Sequence, residues 1–305
     1  MTVIVTPPLA MTDSMLISST VPEPDASLGE VVWTSATYAL GNRRIVVATH
    51  RVYECTIAGA SAITPQSDPT RWLDVGPTNR WAMFDLDRNT ATIAASPLTV
   101  VIRPGARVGT AVLVGLDVTA ASITQVAGGN TTYTTSANLV TRRTLTATDY
   151  CFGPFGFKRL LAKYNLPLFT GAELTITMTK ATGSVKCGGV VLGTSVNLGP
   201  LLEDVDISGL NFSQVQRDGF GNAILKAVRR VPTISGTVFV AAKTVAKVKE
   251  IELQLDAKPA FWNFGGDYVN HPYYDVTQFL GHYQKFQLKL DNYFNATLNL
   301  TVEEI

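Results

Sequence analysis

Apolar residues alternate with Thr, Ser and other small polar residues along most of this chain. A period of two places successive side chains on opposite faces of a strand. Strands are therefore predicted over residues 44–48 and 51–56, and over 90–94, 98–102, 108–116, 122–126 and 173–179. Further strands are predicted over 223–229, 233–240, 285–290 and 296–302. Gly and Pro punctuate these runs at short intervals, as in antiparallel sandwiches. Only one long stretch has a helical period. Val245, Val248, Ile251 and Leu255 fall on one helix face, and Pro259 ends it. A short helical turn is also expected at 158–164, inside the aromatic stretch 150–169. That stretch is either a plug of the core or an exposed contact loop.

Residues 1–30 depart from the pattern. Pro7, Pro8, Pro22 and Pro24 break any helix there, and 12–27 is polar and rich in turn formers. An extended arm, ordered only against a neighbouring subunit, is the expectation. Four segments follow: the arm 1–30, a compact aromatic unit 31–84, a β-sandwich 85–202 and a C-terminal α/β unit 203–305 with one helix. The fold class is mostly β, with a jelly-roll-like antiparallel sandwich at its centre.

Composition narrows the function. The 305 residues include 46% hydrophobic ones, enough for real cores. Charged residues are only 16%, and 25 basic side chains oppose 24 acidic ones. No overall basic field exists to hold nucleic acid or an anionic membrane, although a local basic patch is compatible with this balance. No apolar run approaches the roughly 20 residues of a membrane span. The first 15 residues lack Lys and Arg and hold two prolines, a poor match to a signal peptide. Cys55, Cys151 and Cys187 are an odd number without a C-x-x-C pair, so they read as core residues or free thiols.

Residues 33–76 hold the strongest local pattern. It runs Trp33-x4-Tyr38-x2-Gly41, Val46, Arg51-Val-Tyr53 and Pro69-x2-Trp72-x3-Gly76. This resembles the small chitin- and cellulose-type carbohydrate-binding modules. The resemblance implies exposed rings stacking on sugars, with Tyr38, Trp72 and Trp81 as candidates. The competing reading makes Trp33, Tyr53 and Trp72 the core of a tiny unit, which leaves Tyr38 and Trp81 as the outward rings.

The order of later motifs widens the resemblance. Residues 72–85 (WLDVGPTNRWAMFD) lead into the strand-rich region, Asp218-Gly-Phe-Gly-Asn222 precedes a basic strand, and Tyr283-x2-Phe286 lies near the end. In this order the chain resembles tailed-bacteriophage virion proteins of the tail, baseplate or fibres. The resemblance implies a structural subunit in several symmetric copies, assembled in the host cytoplasm and joining tail to fibres or receptor-binding parts. Its partners would be copies of itself and other tail proteins. The alternative is a virion protein whose N-terminal unit holds a host surface glycan. Neither reading needs a cofactor.

Other candidates are weaker. Asp85, Asp87 and Asn89 imitate the first ligands of an EF-hand, but Thr90 and Ser96 stand where Gly and Glu belong. A turn held by Asp side chains is the plainer reading. Glu203, Asp204 and Asp206 are too close in sequence to set a glycosidase carboxylate pair. His50, His271 and His282 have no metal spacing, and no nucleophile or phosphate-loop motif occurs. The chain is not expected to be an enzyme. Gly219-Phe-Gly221 reads as a hairpin turn. Arg217, Lys226, Arg229 and Arg230 form a basic set, either a contact for an acidic partner or a solvated strand face. The aromatic run 262–274 reads as a subunit contact through Trp262, Phe264, Tyr268, Tyr273 and Tyr274.

Overall fold

The computed structural model describes residues 1–142, 146–202, 205–217, 219–266 and 274–305. The fold is mostly β as expected, with multiple antiparallel sheets. The chain divides into two compact units. One combines Met1–Pro8 with Leu192–Ile305, and the other is Leu9–Val191.

The first unit is built on a seven-stranded sheet. Its order is Val196–Pro200, Thr2–Thr6, Ala260–Asn263, Gln278–Leu290, Asn295–Glu304, Arg230–Ala241 and Asp206–Asn211. The two outermost strands belong to one run of chain. Between them Leu201 bridges Val238, and the Leu202 amide donates to the Thr237 carbonyl at 2.9 Å. The sheet therefore returns on itself as a barrel, which removes most open edges. Alternate residues point inward: Val3, Val5, Leu198, Ile234, Val238, Val240, Leu298, Leu300 and Val302 join Trp262 and Phe264 in one core. The Val245–Gln254 helix adds Val248 and Ile251, with Leu255 just beyond it, so three of the four predicted helical positions are fully in the core. Val245 packs against it from the edge.

The second unit holds a five-stranded sheet, ordered Asn130–Asn138, Ala120–Ala127, Glu173–Thr179, Leu98–Ile102 and Leu16–Ser19. Buried and part-exposed residues alternate strictly along Leu98–Ile102 and Glu173–Thr179, the mark of a sheet covered on one face. In a three-stranded sheet of Leu160–Lys163, Thr110–Val114 and Gly189–Gly193, the last two strands are buried almost throughout. Gly115 and Gly188 let two backbones meet there. A Cβ on Gly115 would lie 3.0 Å from the Gly188 Cα, and its φ of +63° is itself left-handed.

The structure revises three expectations. Residues 1–30 are not a free arm. Val3, Ile4 and Val5 form a barrel strand between Val196–Pro200 and Ala260–Asn263, and the prolines Pro7 and Pro8 end it. Leu16–Ser19 pairs with Leu98–Ile102 in the other unit. Residues 158–164 are not helical, because Leu160–Lys163 finds a strand partner in Thr110–Val114. The short helix lies earlier, at Ala147–Phe152, where Thr146 and Asp149 form a capping box. The aromatic segment 31–84 lies within the Leu9–Val191 unit, where it keeps a small core of its own.

Candidate functional site

The rings proposed to hold sugar are buried. Trp72 is 2% exposed; its Nε1 donates to the Ser61 hydroxyl at 3.1 Å, and its ring meets Tyr38 edge-on at 5.0 Å. Tyr38 is buried too, and its hydroxyl donates to the Thr34 carbonyl at 2.5 Å. Tyr53 and Cys55 complete this core, with Trp33 and Val46 packed against it. Trp81 is stacked on the His50 imidazole at 4.1 Å and buried as well. The core reading of Trp33, Tyr53 and Trp72 matches this arrangement. The outward placement of Tyr38 and Trp81 does not, since Trp72 and Arg44 pack on the Tyr38 ring and His50 and Phe84 on the Trp81 ring.

Beneath Trp81 lies a polar network that the sequence did not announce. The Thr78 hydroxyl donates to Glu23 at 2.6 Å, and His50 Nδ1 lies 3.0 Å from the same carboxylate. Asp25 accepts from the Asn79 amide at 2.8 Å and from the Ser27 hydroxyl at 2.6 Å. Glu30 accepts the Asn79 and Asp25 backbone amides at 2.6 and 2.7 Å. Asn79 also bonds both backbone groups of Ile93. Burial works to raise the Asp25 pKa, but the bonds from Ser27, Asn79 and Leu28 outweigh it and hold it below the ordinary carboxylate value. The oxygens of these acids are engaged in tying residues 20–30 to 78–93. Chemically the network is a staple.

The acidic turn behaves in the same way. Thr90 donates to the Asp85 carboxylate at 2.7 Å, and the Asp87 and Asn89 amides bond to Asp85 and Asp87. Burial raises the Asp85 pKa, the Thr90 bond opposing it. Among the described residues no three His, Cys, Asp or Glu side chains converge as a metal set. Glu203, Asp204, Asp218 and His271 lie outside the described residues, as do Tyr268 and Tyr273 of the expected contact loop. Cys55 and Cys187 are buried and Cys151 is exposed; burial pushes the Cys187 thiol up to about 12.

Trp262, Phe264 and Tyr274 do not form a contact surface. Trp262 and Phe264 are 0% exposed, and Tyr274 is buried. Ala260–Asn263 is an interior barrel strand, so its large rings fill the core instead of meeting a partner.

The exposed apolar surface lies elsewhere. Asp206–Asn211 pairs with the start of Arg230–Ala241, from Asp206 opposite Ser235 to Asn211 opposite Arg230. The pairing then runs on. The Phe212 amide reaches the Arg229 carbonyl, the Ser213 hydroxyl accepts the Val228 amide at 3.0 Å, and Gln214–Arg217 pairs with Ala223–Lys226. The register slips by one residue between Ser213/Val228 and Gln214/Lys226, leaving Ala227 as a bulge between the barrel strands and the outer ribbon. Every described residue from 214 to 230 is exposed. On one face Val215 stands opposite Leu225, 64% and 75% exposed, and Arg217 opposite Ala223. On the other, Lys226 stands opposite Gln214 and Ile224 opposite Gln216. The tip turns at Gly221, with φ at 85°.

The other unit has an apolar projection of its own. The Ala147–Phe152 helix and the Val140–Arg142 and Phe155–Phe157 strands expose Tyr150, Phe152, Phe155 and Phe157. The Arg142 guanidinium lies over the Tyr150 and Phe155 rings at 5.1 and 5.3 Å. Of the two readings of 150–169, the exposed loop describes this part. Exposed apolar surface of this kind marks interaction sites on proteins. No family model, no curated protein and no solved structure matches this chain.

Proposed function

We propose that this chain is a structural subunit of a bacteriophage tail or baseplate, assembling from symmetric copies and connecting the tail to fibres or receptor-binding parts. The order of motifs from residue 31 onward supports the virion setting. One observation supports assembly above all others: the ribbon beyond the barrel presents Val215, Ile224, Leu225 and Val228 to solvent. A two-stranded ribbon standing by itself is marginal in water. Apolar side chains on such a ribbon are accounted for when they meet another surface. The aromatic projection around Phe152 and Phe155 supports the same reading. Glycan attachment through Tyr38, Trp72 and Trp81 has less support, because buried rings offer no stacking platform.

Gold-labelled antibody against the chain, applied to phage particles from a producing culture, tests the setting. Label on the tail or baseplate is expected. Particles without label, with the chain recovered only outside them, would overturn the reading.

A further inference from the structure

We infer that the strand Asn130–Asn138 is a pairing edge, by which two copies of this chain join their five-stranded sheets antiparallel about a two-fold axis. The inference rests on the assembly reading above and names the surface and the partner.

The strand is open on one side. Its neighbour is Ala120–Ala127, and among the described residues no other strand pairs with it. An edge strand offers its outward N–H and C=O groups to any further strand, and folded proteins guard against that with charge, proline or shortness. Among the described residues, every other edge strand has four residues or fewer, carries a charged residue or a proline, or is buried throughout. Asn130–Asn138 has nine residues and no charge, glycine or proline among them. Its bulge lies near the start, where Thr132 is passed over in the register. Residues 133–138 then run regularly opposite 120–125.

The chemistry of the edge says what covers it. A row of unpaired backbone groups calls for an extended strand, and the side chains fit an identical one. Opposite residues of an antiparallel pair share a face, so the two-fold axis passes through a residue. Centred on Thr135, the regular run sets Thr134 opposite the second copy's Ser136, and Tyr133 opposite its Ala137. A large ring meets a small side chain, hydroxyls meet hydroxyls, and no like charges are opposed. The sheet already pairs in this way. The Thr124 and Thr134 hydroxyls lie 3.2 Å apart, as do those of Thr99 and Thr177. Cross-strand Thr pairs of this kind stabilise a sheet. On the outer face, the rows Thr175–Thr124–Thr134 and Thr99–Thr177–Ser122–Ser136 both stop at this edge. A second copy continues them. The contact uses the same surface on both copies, so it is isologous and closes as a dimer.

Sedimentation velocity on the full chain tests this. The wild type is expected to show a concentration-dependent dimer step. Thr134→Lys with Ser136→Lys alters two exposed positions and sets lysine opposite lysine across the axis. It should weaken that step by roughly a hundredfold, as opposed like charges do, with an unchanged melting temperature. Thr134→Glu with Ser136→Glu should do the same, and mixing the two variants should restore the dimer. Thr135→Cys, made with Cys151→Ser to remove the exposed native thiol, fixes the register. Opposite Cα atoms about 4.5–5.5 Å apart lie within disulfide range, so oxidation should link two copies. A wild type monomeric at every concentration would leave the edge to a strand of another protein and overturn the inference. Lysine variants that dimerise as the wild type does, a mixture that stays monomeric, or a dimer that does not cross-link at 135 would each overturn it too. Tail labelling by antibody is unaffected by these outcomes, so the virion reading fails or stands separately.

Discussion

At the scale of single residues, packing decides what a side chain can do. Trp72 closes a pattern that implies sugar stacking, yet its ring fills the core of the 31–84 segment with Tyr38, Tyr53 and Cys55. Trp72→Ala should cost roughly 3–5 kcal/mol, the range for large aromatic truncations. It also leaves the Ser61 hydroxyl without its Nε1 donor. Urea unfolding with hydrogen exchange over Arg51–Cys55 and Trp72–Pro77 measures this. A change below about 1 kcal/mol, the usual size of a surface effect or less, would mean that the ring is not a core anchor.

Asp25 makes a second residue-scale case. Its folded pKa lies below the ordinary value of 3.8, so the unfolded chain binds its proton more tightly. The stability it supplies is complete above that value and is lost as pH falls through the lower, folded one. Asp85 has the opposite sign: its pKa is raised, so its contribution is present at low pH and declines as pH rises through the folded value. Asp25→Ala should cost about 1–3 kcal/mol at neutral pH, the penalty for stranding a buried polar partner such as the Asn79 amide. It should also flatten the acid limb of stability against pH. Denaturant titrations between pH 3 and pH 6 check both, and an unaltered acid slope would contradict the assignment.

At the scale of elements, Thr2–Thr6 matters most to the barrel. It is hydrogen-bonded on both sides, and Val3 and Val5 are fully buried. Val5→Asp would place a carboxylate in that core, at a cost of roughly 4 kcal/mol or more. Amides of Val196–Pro200 and Ala260–Asn263 should lose exchange protection, while those of Ala120–Ala127 and Glu173–Thr179 keep theirs. Equal protection in variant and wild type would show that this strand is dispensable. The short helix and the strand it displaced in the prediction teach the same lesson. Residues 158–164 have enough Leu, Lys and Ala for a helical turn, and a strand partner at Thr110–Val114 outweighed that local preference. The Thr146–Asp149 capping box was in the sequence as a helix start, about three helical turns ahead of where helix was expected.

At the scale of the whole molecule, local pattern and long-range pairing divide the information. Alternation of apolar and polar residues was sufficient for the mostly β class, since a period of two is a property of neighbours in sequence. The spacing of Val248, Ile251 and Leu255 was sufficient for the helix face, and Gly219-Phe-Gly221 for the turn at the ribbon tip. The basic set Arg217, Lys226, Arg229 and Arg230 was visible too, with its two readings open. Only the tertiary structure placed that set on a projection beyond a barrel, because projection depends on where the neighbouring strands stop. Only it made residues 2–6 a barrel strand, through partners such as Ser195, 189 positions away from Thr6. Only it buried Trp81 on His50 and joined Glu23, Asp25 and Glu30 to Thr78 and Asn79. Burial and polar satisfaction are set by atoms distant in sequence, so a motif can name its residue types and still not say which way they face.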